Sequence, residues 1–85
     1  MEQIDFARIP LYARRSAVSR HDVDPHLLEI LSGDPDENVR LAVAGHPATP
    51  LESLQRLAND AVARVASRAV IRAAACRMVD EKALV

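Results

Sequence analysis

The prolines constrain this chain more than any other feature. Pro10 and Pro35 lie 25 residues apart, and so do Pro25 and Pro50, so two interleaved marks share one period. A proline breaks a helix interior but is accepted at the first helical residue, where its missing N–H would have no partner. A chain punctuated in this way reads as short helices repeating in pairs. In that register ARRSAVSRHDVDP matches VRLAVAGHPATP, with Arg15 falling on Arg40 and His21 on His46. Leu28, Leu31 and Asp34 answer Leu54, Leu57 and Asp60 at a spacing of 26, which predicts a second helix one residue shorter in the first unit.

The residues beside the prolines support helix starts. Asp24-Pro25, Asp34-Pro35 and Thr49-Pro50 each read as an N-cap followed by a first helical residue. Glu37 and Glu52 add the spacing of a capping box after Asp34 and Thr49. Gly33 and Gly45 stand where the preceding helices should stop. These signals predict helices over residues 10–19, 25–32, 35–44, 50–59 and 61–79. His46-Pro-Ala-Thr-Pro50 is then a corner between two helices of one unit.

Composition agrees. Apolar residues make up 49% of the chain, yet it holds one Phe, one Tyr and no Trp. Ala, Leu and Val pack closely spaced helices and do not give the β-branched, aromatic alternation of strands. The expected class is all-α. With 85 residues the chain makes one small domain, so function belongs on a surface rather than in a deep substrate pocket.

At these residues the sequence resembles the leucine-rich repeat variant family, a relative of HEAT and armadillo repeats. The resemblance rests on Asp-Pro-Asp-x-x-Val-Arg-x-Ala-Val-Ala, a corner Pro-x-Thr-Pro, and Glu-x-Leu-x-x-Leu-Ala-x-Asp, all within residues 34–60. It implies a short right-handed α-solenoid of about two and a half helical repeats built from five short helices. The units would be an N-terminal lead over 1–9, a repeat at 10–33, a second at 34–60, a degenerate capping helix at 61–79 and a tail at 80–85. The first unit departs from the pattern, with Asp22 and Asp24 in place of the corner's Pro and Thr. Some members of the family carry an iron–sulfur cluster on a cysteine-rich segment; the single Cys76 here does not transfer it. What the resemblance implies for function is a scaffold that binds other macromolecules.

Charge points to the last helix. Residues 1–60 carry ten Asp or Glu and six Arg, whereas residues 61–79 carry Arg64, Arg68, Arg72 and Arg77 with no acid. Val62, Val65, Ala66, Ala69, Ala73 and Cys76 form one apolar face suited to packing on the helix of Leu54 and Leu57. Ile71, Ala74 and Met78 form a second, narrower apolar stripe beside Arg64, Arg68 and Arg72. A terminal repeat needs a polar outer face, and this one has an apolar seam. Either the tail folds back over the seam, or a protein partner or second copy of the chain covers it, or the chain is a piece of a longer array. The candidate partner-binding residues are Arg64, Arg68, Ile71, Arg72, Ala74 and Met78. The same arginines could meet nucleic-acid phosphates, although the acidic remainder and the scarcity of aromatics weigh against that.

Other chemistries find little support. His21 and His46 fall at successive corners with Asp22 near, but this is not the ligand complement of a metal site. Serines are present without a His and acid that the repeat would bring together, and no glycine-rich phosphate loop occurs, so no enzyme, metal, cofactor or small-molecule substrate is expected. One cysteine and no long apolar run fit a cytoplasmic protein rather than a membrane-spanning one.

Overall fold

The computed structural model describes residues 8–84, with side chains described for residues 8–76. The described residues form five helices and no strand: α1 (Leu11–Val18), α2 (Pro25–Leu31), α3 (Glu37–Gly45), α4 (Leu51–Leu57) and α5 (Ala63–Leu84). Helices α1, α3 and α5 begin at 11, 37 and 63, and α2 and α4 begin at 25 and 51, so every step is 26 residues. The period is therefore 26 throughout, not 25, and α2 and α4 are both seven residues long. The shortened helix expected in the first unit is not there. In the true register Arg40 answers Arg14 rather than Arg15.

The prolines mislead by one residue because the two members of each pair occupy different positions around their helix starts: Pro10 is an N-cap and Pro35 precedes one, while Pro25 is a first helical residue and Pro50 an N-cap. Pro25 is the first residue of α2, with the Asp24 side chain accepting from the His26 N–H at 2.8 Å as an N-cap. Pro50 is itself the N-cap of α4, and Thr49 does not cap it. The Thr49 hydroxyl is buried and donates to the Val43 carbonyl at 2.6 Å, closing the corner onto α3. Pro35 lies before the N-cap of α3, which is Asp36 and not Asp34. The Asp36 carboxylate accepts from Asn38 and Val39 N–H, and Asp34 accepts from the Asp36 N–H at 2.9 Å. Gly33 follows the C-cap Ser32 of α2 as expected, whereas Gly45 is the last residue of α3. No described glycine has positive φ, so neither supplies a left-handed cap.

Successive first helices pack side by side, α1 on α3 and α3 on α5, while α2 and α4 form a second row against α3 and α5. The core repeats with the helices. Leu28 and Leu54, Leu31 and Leu57, Val39 and Val65, and Val43 and Ala69 are buried pairs, each 26 residues apart. Fully burying one such Val or Leu side chain is worth about 1.5–3 kcal/mol.

A pair of ion pairs closes the two complete units. Arg14 Nε donates to Asp34 Oδ2 at 2.7 Å, and Arg40 Nε donates to Asp60 Oδ2 at 2.7 Å. Each arginine also reaches backbone carbonyls before its helix: Arg14 that of Ile9, and Arg40 those of Asp34 and Pro35. Asp60 in turn accepts from the Val62 N–H at 2.8 Å, as Asp34 does from Asp36. The Arg40 hydrogen bond holds the Asp60 carboxyl below the usual carboxylate range and raises the Arg40 guanidinium. In the third unit the arginine position is Ala66, so α5 starts a repeat that lacks this bond.

His46 joins one unit to the next. Its Nδ1 accepts from the Ala48 N–H at 3.0 Å, which leaves Nε2–H to donate to the Arg20 carbonyl of the first unit at 2.6 Å. The ring is buried, whereas His21 is exposed. Among the described residues no three His, Cys, Asp or Glu side chains come together as a metal site would need.

The last helix differs most from expectation. It is 22 residues long against nine for α3, and it runs through residues 80–84 without turning back. A tail folded over the seam is thus replaced by a continuing helix. The reason is local: Asp80, Glu81, Lys82, Ala83 and Leu84 include no Gly or Pro to stop it.

Candidate functional site

The surface between α3 and α5 holds an open groove of about 680 Å³. Helix α5 contributes Arg64, Ser67, Arg68, Ile71 and Arg72 to its wall, and α3 contributes Leu41 and Gly45. Four of the six expected site residues thus meet in one place. Ala74 is exposed on α5 but does not line the groove, and the Met78 side chain lies outside the described residues.

The three arginines stand in unlike environments. Arg64 approaches Glu37 at 3.6 Å with both side chains largely exposed, an arrangement worth little to stability. Arg68 lies across Gly45, close enough that a Cβ there would stand 2.7 Å from its Nη1. Arg72 is half-buried in the groove wall, and its Nε is buried without a hydrogen-bond partner. No described acid lies within ion-pair distance of Arg68 or Arg72. Beside them Ile71 is 68% exposed. An apolar floor edged by cationic donors, one of them desolvated and unpaired, is complementary to an apolar segment carrying carboxylates.

A matching groove of about 460 Å³ lies between α1 and α3, lined by Tyr12, Arg15, Ser16, Ser19, Asn38 and Ala42. The repeat relates the two walls. Arg64, Arg68 and Arg72 occupy the positions of Asn38, Ala42 and His46, and of Tyr12, Ser16 and Arg20 in the first unit, so three arginines in a row are found in the third unit alone. The α3 wall was not visible in the sequence reading, which took Gly45 as a stop signal. Its role is to leave room for Arg68. Val70, 53% exposed, is a further apolar side chain on α5 and sits outside the basic stripe.

The fold, the period and the corner can be set against known proteins. The family model of the leucine rich repeat variant matches residues 37–62. Over those residues the chain is similar to a leucine rich repeat variant unit. The matched span runs from the first residue of α3 to the residue before α5, one full 26-residue step of the structure. No characterised protein and no solved structure matches the chain significantly. The leucine rich repeat variant is a helical repeat, and no helix among the described residues is long and apolar enough to cross a membrane.

Proposed function

We propose that this chain is a non-enzymatic helical-repeat module that binds another protein, or another copy of itself, through the α3/α5 groove. The observation that carries the reading is the departure from the repeat at that groove: three arginines replace Asn38, Ala42 and His46, and the Arg72 Nε is buried with no acceptor. A group left so costs about 1–3 kcal/mol, and a partner's carboxylate or carbonyl at the groove would recover this if Arg72 swings outward to meet it. Exposed Ile71 supplies the apolar contact at the centre. Its single cysteine suits such a module to a reducing, cytoplasmic setting.

The test is Ile71→Asp, with Arg68→Glu as a companion, compared with wild type for oligomeric state and for affinity toward any protein the wild type retains. Loss of association in both variants, with thermal stability unchanged, is expected; unchanged association in both overturns the reading. A gel shift with short DNA and RNA at low and high salt separates nucleic acid from protein, because phosphate binding through these arginines would be salt-dependent.

A further inference from the structure

The two ends of the array are unlike its middle. Val18 in α1 and Ala44 in α3 hold the same repeat position, and they are 2% and 0% exposed beneath the unit that follows. Val70 holds that position in α5 and is 53% exposed. At the opposite end, Ala13, Ala17 and Leu27 line an open groove of about 570 Å³ between α1 and α2. Their counterparts in the second unit, Val39, Val43 and Ser53, are completely buried. Among the described residues, one end therefore presents an exposed back face on α5 and the other an open front face between α1 and α2.

Inside the chain these two kinds of face already pack together twice, α1 on α3 and α3 on α5. We propose that a second copy of this chain continues the series, with the Val70 side of α5 seated in the α1/α2 groove of the next molecule. This rests on the reading of α5 as a protein-binding helix and specifies its partner. A twofold pairing of α5 with α5 would cover Val70 and leave the α1/α2 groove empty, whereas a head-to-tail contact fills both. Among the described residues the third unit offers one long helix, the 22-residue α5, in place of two short ones. Head-to-tail association is open-ended, so its products grow with concentration unless the rotation closes a ring.

Complementation tests the inference. Val70→Asp blocks the tail and leaves the head intact; Ala13→Glu blocks the head and leaves the tail intact. Tyr12→Glu, at a groove residue 74% exposed, serves as a second head variant should Ala13→Glu fail to fold by circular dichroism. Light scattering on wild type up to about 1 mM should show mass rising past the dimer, with each variant monomeric. An equimolar mixture of tail-blocked and head-blocked chains should give a dimer that grows no further. A dimer untouched by the head variants overturns the head-to-tail contact while leaving α5 as a binding helix. A mixture that stays monomeric while wild type associates overturns it too, as does a wild type that is monomeric throughout. In that last case the Ile71→Asp comparison against other proteins still decides the broader reading.

Discussion

Replacing Asp60 by alanine removes the counter-charge of Arg40 and the acceptor of the Val62 N–H. Breaking a fully buried ion pair costs about 3–5 kcal/mol. Here the Arg40 side chain is 18% exposed and Asp60 9%, so water relieves part of that loss and about 2–3 kcal/mol is expected. For a domain of this size each kcal/mol moves Tm by about 4–8 °C, which gives a fall of roughly 10–20 °C in a circular dichroism melt. The pH dependence has a definite sign. Because Asp60 is held below its ordinary value, its contribution is complete above the unfolded carboxylate pKa of about 3.9 and is lost as pH falls through the folded value. The difference between wild type and Asp60→Ala should therefore be full near neutrality and shrink in acid. A difference below about 0.5 kcal/mol, or one that stays constant between neutral and strongly acidic pH, would refute the assignment of this pair as the closure of the unit.

Three further substitutions follow from the geometry. His46→Ala strips a donor from the Arg20 carbonyl and an acceptor from the Ala48 N–H, and should cost about 1–3 kcal/mol in urea unfolding. Thr49→Val keeps the shape and removes the bond to the Val43 carbonyl; a loss near 1 kcal/mol is expected, and the valine already standing at the equivalent Val23 argues that the fold itself will survive. Gly45→Ala should leave the unfolding free energy within about 1 kcal/mol of wild type, since alanine favours the helix and only the flexible end of Arg68 must move. The same change should alter association through the α3/α5 groove, which light scattering would read.

Much of the fold was legible because helix starts carry strong local chemistry. Asp24-Pro25 announced α2 correctly, and the leucines of α2 and α4 gave the true spacing of 26. The prolines gave 25 because a residue lacking N–H is accepted at the N-cap, at the first helical residue or just before either, so its position floats by one. Arg14 and Arg40, each 20 residues before an aspartate, mark the register without that freedom. The end of α5 was misplaced for lack of any stop residue. Of the groove, the α5 wall followed from helical spacing, while the α3 wall depends on which helices become neighbours, and a glycine gives no sign of whether it ends a helix or makes room for an arginine.

Each arginine–aspartate bond joins residues only 20 apart and closes within a single unit, while the His46 bond crosses one boundary. No part of this chain must wait for its distant ends to meet, which favours rapid folding from local contacts. It also gives the molecule a rule for growth. A duplicated copy of residues 37–62 placed after Val62 would bring its own arginine and aspartate, and it would leave the bonds of its neighbours intact. The array can thus lengthen by whole steps of sequence without any existing unit being rebuilt.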